Sequence, residues 1–206
     1  EGLVTLYYGN GIIKETQNYI GGKLTSNSTI YYENGQKKEE STWVDGIREG
    51  LVTLYYGNGI IKETRNYKVG KKNGVSTLFY ENGKKKKEGN YIEGKEVGLI
   101  IEWYENGQKE FERTHKDGIE DGLWTEWYKI GQKMWEITYK DGQLHGLQSG
   151  WYENGEKKSE VTFKDGKNDG LWTDWYENGQ KKEERTHKDG KDDGLWTGWY
   201  ENGQKE

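Results

Sequence analysis

The chain has 206 residues, 33% of them charged and only 30% hydrophobic, with a net charge of -5, a balance that suits disorder when aromatic residues are also scarce. Ten Trp, 16 Tyr and three Phe exclude that reading, since each ring buries roughly 150–250 Å² and cross-strand aromatic packing can replace an aliphatic core. The acidic balance excludes nucleic acid as a partner and disfavours a bare anionic membrane, while the absence of Cys excludes disulfides and thiolate metal sites.

No stretch approaches the roughly 20 apolar residues of a membrane helix. Glu1 falls inside a repeat and no Met precedes it, so an upstream leader stays an open expectation. Composition leaves the compartment unknown, with the cytoplasm slightly favoured.

In chain order, the first predicted element is a strand over GLVTLYY, closed by a turn at Asn10-Gly11, and this beat then recurs every 24 residues. The glycines are Gly11, Gly35, Gly59, Gly83, Gly107, Gly131, Gly155, Gly179 and Gly203; eight follow an Asn, and only Ile130 breaks the pair. A fixed period of this size means an array of small units that cannot bury their apolar sides alone. The expectation is one continuous array over 1–206, eight full units and a partial ninth. Its fold class is all-β, a single-layer antiparallel sheet of stacked β-hairpins.

One unit reads GLWTDWYENGQKKEERTHKDGKDD from Gly170 to Asp193. A segment of β-branched and aromatic residues leads to Asn-Gly, and a charged segment leads to a second turn at Asp189-Gly190, the pattern of a hairpin plus connector. Because Glu precedes Asn in six units, the first turn is predicted as a three-residue Glu-Asn-Gly loop with glycine in the left-handed conformation. Gly35, Gly59, Gly83, Gly107, Gly155 and Gly179 are assigned as structural turn residues. Proline is absent and no 3.6-residue apolar period exists, so almost no helix is expected. Thr5, Thr29, Thr53, Thr77, Thr125, Thr173 and Thr197 recur at the fourth position and suit a pleated strand.

Residues 1–97 form a Tyr- and aliphatic-rich half, with Tyr7, Tyr31, Tyr55 and Phe79 at the sixth position and Leu6, Ile30, Leu54 and Leu78 at the fifth. Residues 98–206 form a Trp-rich half. There the sixth position is Trp103, Trp127, Trp151, Trp175 and Trp199, the fifth is Glu102, Glu126, Gly150 and Asp174, and Trp124, Trp172 and Trp196 appear at the third. The polar fifth position is expected to expose its face to water more readily in this half. The seventh position is Tyr in all nine units. Adjacent strand residues point to opposite faces, so one aromatic ladder is expected on each side of the sheet.

Catalytic, metal and cofactor chemistry finds no foothold. His115 and His187 share a column three units apart; at roughly 10 Å per unit they lie about 30 Å from each other and cannot share a metal or a proton. His145 falls in a connector. Asp165–Gly170 and Asp189–Gly194 have a calcium-loop flavour, but Lys167 and Lys191 occupy a ligand position and Tyr176 and Tyr200 stand where the bidentate Glu belongs. The departures Ile130, Met134, Trp135 and Phe111 add apolar bulk without new chemistry. What remains is a Trp- and Tyr-rich surface, the type that anchors protein partners and also stacks on sugars. Trp103, Trp124, Trp127, Trp151, Trp172, Trp175, Trp196 and Trp199 are therefore the candidate partner-binding residues.

The phrase W-Y-E-N-G-Q-K-K followed by K-D-G-K-x-x-G resembles the MORN repeat in its bacterial variant, over essentially the whole chain. The resemblance implies β-hairpins stacked into a twisted single-layer sheet, and a non-enzymatic protein-binding role of the kind described for antitoxins of toxin-antitoxin pairs. A second likeness, to the aromatic hairpin repeats of choline- and glucan-binding surface proteins, rests on Trp-Tyr and Gly punctuation. It implies carbohydrate as the alternative partner, on an envelope-associated or secreted protein.

Overall fold

The computed structural model describes residues 1–206. It contains 21 strands and no helix, and the chain divides into two compact units, Glu1–Val97 and Gly98–Glu206. In the first unit the hairpins are Gly2–Tyr7 with Ile13–Ile20, Ser26–Tyr31 with Lys37–Val44, Gly50–Tyr55 with Ile61–Lys68, and Lys71–Phe79 with Lys85–Ile92. In the second they are Lys95–Trp103 with Lys109–Lys116, Ile119–Trp127 with Lys133–Lys140, Gly146–Trp151 with Lys157–Lys164, and Lys167–Trp175 with Lys181–Lys188. Within each unit the second strand of a hairpin also pairs antiparallel with the first strand of the next. The order in space is therefore the order in sequence.

Both turn types follow from residues that tolerate positive φ. At the Glu-Asn-Gly turn, Tyr176 N–H donates to the Gln180 carbonyl at 2.9 Å and Gly179 N–H to the Tyr176 carbonyl at 2.9 Å, with Gly179 at φ 80. This closes a three-residue loop, as the Glu before Asn predicted. The loop is followed by a bulge: Asp174 pairs with Glu183 and Trp175 with Lys181, so Lys182 is left over. At the second turn Asp189 (φ 51) and Gly190 (φ 81) are both left-handed, which makes a two-residue mirror-image turn between the paired Lys188 and Lys191. Val69 takes the Asp position at φ 48, an unfavourable place for a β-branched residue.

The period of 24 is held by hydrogen bonds between like positions of successive units. Tyr8, Tyr32 and Tyr56 in the first unit and Tyr104, Tyr128, Tyr152 and Tyr176 in the second donate the seventh-position hydroxyl to the carbonyl of the sixth residue one repeat on: Tyr8 to Tyr31 at 2.6 Å, Tyr32 to Tyr55 and Tyr152 to Trp175 at 2.8 Å, Tyr176 to Trp199 at 2.9 Å. Asn178 accepts from Gln180 N–H within its own turn at 2.9 Å and donates to the Glu201 carbonyl of the next at 2.8 Å. At the other edge Gly190 N–H reaches back to the Asn168 carbonyl at 2.8 Å. The seventh position must be Tyr because phenylalanine carries no donor. The sixth accepts through its backbone and so tolerates Tyr, Phe or Trp.

Candidate partner-binding face

Alternation along the strands sorts the candidate tryptophans onto two faces. Thr125 and Trp127 share one face, Trp124 and Glu126 the other, and the register keeps this assignment through the second unit. Trp103, Trp127, Trp151, Trp175 and Trp199 thus line what we call the Trp127 face, whereas Trp124, Trp172 and Trp196 line the Trp124 face. The eight candidates cannot form one surface.

On the Trp127 face the sixth-position column is built into the sheet. Each indole is half-buried, and over four of them lies a lysine from the preceding hairpin: Lys109 over Trp127 at 5.4 Å, Lys133 over Trp151, Lys157 over Trp175 (both 5.8 Å) and Lys181 over Trp199 at 5.7 Å. The same lysines pair with Glu112, Glu136, Glu160 and Glu184. The ladder of cation, carboxylate and indole joins hairpins, with Thr125 and Thr173 buried alongside.

On the Trp124 face the second unit carries an aromatic cluster. Trp124 stacks on Tyr139 with centroids 5.5 Å apart and meets Phe111 edge-on at 6.2 Å. Trp172 lies 5.6 Å from His187 and donates its indole N–H to Asp174 at 2.9 Å. His187 is buried, with Nε2 3.1 Å from Asp192. His115 fills the same column of another hairpin, and His145 stands apart, 3.8 Å from Asp165. Asp165 and Asp189, considered above as calcium ligands, are central residues of tight turns. Trp196 is 67% exposed. Trp135, Tyr152, Lys158, Ser159, Trp172 and Asp174 enclose a cleft of about 270 Å³.

The fifth position departs from expectation. It is not the more exposed in the second unit: Glu102, Glu126 and Asp174 are half-buried and Gly150 is buried, whereas Leu6 is 45% exposed. The reason lies on the neighbouring strands. Phe111 and Trp135 are the cross-strand partners of Glu126, and the Trp135 ring lies over Gly150, with Cζ3 2.4 Å from where a Cβ would stand. Phe111 and Trp135, read from sequence as bulk alone, are members of this face. Gly150 between Glu126 and Asp174 in this column was the signal that a large neighbour covers it.

Charge separates the units as well. Glu1–Val97 has 15 Lys and Arg against 12 Asp and Glu, net +3; Gly98–Glu206 has 16 against 24, net -8. The bulge lysines Lys14, Lys38, Lys62 and Lys86 lie over Tyr8, Tyr32, Tyr56 and Tyr80 in the first unit. In the second, Glu110 and Met134 take this position before Lys158 and Lys182 restore it. Burial, reinforced by Glu110, raises the Glu126 pKa, and burial with neighbouring carboxylates raises those of Tyr104, Tyr128 and Tyr152. No three His, Asp or Glu side chains converge as a metal ligand set.

A family model described as MORN repeat variant matches residues 1–20, 24–45, 48–68, 72–93, 96–117, 144–165, 168–189 and 192–206. These segments pass over 118–143, where Ile130, Met134, Trp135 and Ile137 lie. No curated protein matches the chain.

Proposed function

The chain belongs to the MORN repeat variant family, and from that premise we propose that it is a non-enzymatic scaffold that seats a protein partner on Gly98–Glu206. The observation that carries this reading is the Trp124 face of that unit, where Phe111, Trp124 and Tyr139 form a ring cluster, Trp172 meets His187 and Trp135 lies over Gly150, and no second layer of structure covers them. Clustered large rings on one rigid face are the usual anchors of protein interfaces. On the Trp127 face each of Trp127, Trp151, Trp175 and Trp199 stands singly under a lysine, whereas on the Trp124 face rings meet one another, which favours the Trp124 face. Neutralisation of a toxin is the specific form of the proposal, with the chain as the antitoxin or immunity partner.

Affinity capture with the full chain tests it. Changing Trp124 and Trp172 to Ala should lose partners that the pair Trp127→Ala and Trp175→Ala retains, at equal folding by circular dichroism. Recovery of the same partners from both baits would sink the assignment of the Trp124 face. The cleft between Trp135 and Trp172, walled by rings and edged by Asp174 and Ser159, favours carbohydrate as the second reading. Binding to a glycan array that Trp172→Ala abolishes, with no protein captured, would replace the first reading by the second.

A further inference from the structure

Three times the molecule builds the same local triad of guanidinium, carboxylate and indole. Arg48 pairs with Glu39 at 2.5 Å and lies over Trp43 at 5.1 Å. Arg113 pairs with Glu102 at 2.5 Å and lies over Trp124 at 5.9 Å. Arg185 pairs with Glu183 at 3.1 Å and lies over Trp172 at 4.4 Å. A guanidinium suits this setting because it is planar, weakly hydrated, and able to accept a ring on its face while its edge meets a carboxylate.

Around Glu126 a carboxylate and aromatic rings stand together without such a cation. Phe111, Glu126 and Trp135 are directly paired across three strands on the Trp124 face, a spacing of about 5 Å between neighbouring Cβ atoms. No hydrogen bond or ion pair reaches the Glu126 carboxylate. Ile137 stands where its sister hairpins have Arg113 and Arg185, and Met134 where Lys158 and Lys182 stand. Arg113 is engaged by Glu102, Lys133 by Glu136, and Lys158 lies over Trp135 at 5.8 Å without pairing to Glu126. Glu110 adds a second negative charge beside it. Holding a half-buried carboxylate without a cation costs stability, and the surrounding unit at net -8 attracts basic groups from a distance.

We propose that Phe111, Glu126 and Trp135 form a receptor for an arginine side chain presented by the protein partner, the guanidinium pairing with Glu126 as Arg113 pairs with Glu102. The assignment rests on the scaffold reading above and gives its partner a chemistry: a basic segment whose arginine enters between the two rings. A lysine fits less well, since an ammonium neither stacks nor bridges both carboxylate oxygens.

The test uses the full chain and N-acetyl-arginine methylamide, followed by NMR at the indole N–H signal of Trp135, identified by its loss in Trp135→Phe. Arginine amide should shift this signal saturably, and the neutral citrulline analogue should not. Glu126→Gln should weaken the response at least tenfold. Ile137→Arg should abolish it, because an internal guanidinium then occupies the carboxylate, while the unchanged circular dichroism of this variant shows that the fold persists. No response in the wild type, or an equal response in Ile137→Arg, would overturn the receptor. Capture of a protein partner separates the two claims. A partner held equally by wild type and Ile137→Arg removes the arginine site and leaves the scaffold standing, whereas arginine binding at Trp135 with no captured partner does the reverse.

Discussion

Between Glu1–Val97 and Gly98–Glu206 the backbone devices repeat unchanged while the Trp124 face is rewritten. Both units close their hairpins with the same two turns and join them with the same Tyr, Asn and Gly donors. Yet on this face the first has Ser28, Ser41 and Ser76 buried and Trp43 as its one tryptophan, where the second has Trp124, Trp135, Trp172 and Trp196. Because the hydrogen bonds between hairpins use edges and main chain, the face is free to vary without cost to the repeat. Placement of variation, not the repeat itself, is what the proposed recognition rests on.

The largest effect should come from Gly150→Glu, which copies Glu126, the fifth residue of the preceding hairpin. With Trp135 2.4 Å from the Cβ site, overpacking should cost about 3 kcal/mol in urea unfolding, and Leu54→Glu in the first unit should cost less. Equal costs would erase the claim that the second unit's face is individually fitted. Next, Tyr32→Phe and Tyr152→Phe should each lose about 1 kcal/mol, since both hydroxyls donate at 2.8 Å to a carbonyl one unit on. Hydrogen exchange, which reads each unit by itself, should show the same loss in both; a marked difference would mean the shared lattice is not shared.

A gain of about 1 kcal/mol should follow in the first unit alone from Ser26→Gly or Val69→Asn. Ser26 (φ 75) and Val69 (φ 48) hold left-handed conformations there, whereas the second unit has Gly or Asp at the matching positions. The smallest effect is on pH dependence. Hydrogen bonds from Lys37 and Tyr55 lower the Glu40 pKa, so its contribution is present above the ordinary carboxylate range and is lost as pH falls. Burial raises that of Glu126, so its contribution is present at low pH and is lost as pH rises to neutrality. Glu126→Gln should therefore stabilise the second unit at pH 7 by under about 1 kcal/mol and leave it unchanged near pH 3, as hydrogen exchange at the two pH values would show.

At the alkaline end Tyr55, pushed up to about 12 by burial and by its bond to Glu40, belongs to the first unit. Its contribution is complete below pH 10 and disappears as pH rises past that value.

The hairpin, the three-residue turn and the face of each aromatic column were legible in the sequence, because turn chemistry and a period of two decide them locally. The uniform Tyr beside a tolerant sixth position also carried a signal for the hydroxyl bond. What stayed hidden depends on how neighbouring strands lean. That Trp135 covers Gly150, or that Phe111 and Trp135 flank Glu126, follows from register across three strands and side-chain direction, neither of which a single column records. The tryptophans that looked most like a binding column, Trp127, Trp151 and Trp175, proved to be seated under lysines.

The 23-residue reach of each Tyr hydroxyl also bears on how such a chain can change length. Residues 1–20 recur almost unchanged as 49–68, the trace of a copied segment. Every hairpin offers its neighbour the same carbonyls, so a duplicated or excised block of 24 residues finds its docking points ready. Removing 146–169 would present the Trp175 carbonyl to Tyr128, which now donates to Trp151 at 3.0 Å. Recombination can therefore lengthen or shorten this molecule in whole steps, moving the proposed patch along it like a slide on a rule, with no new joint to invent.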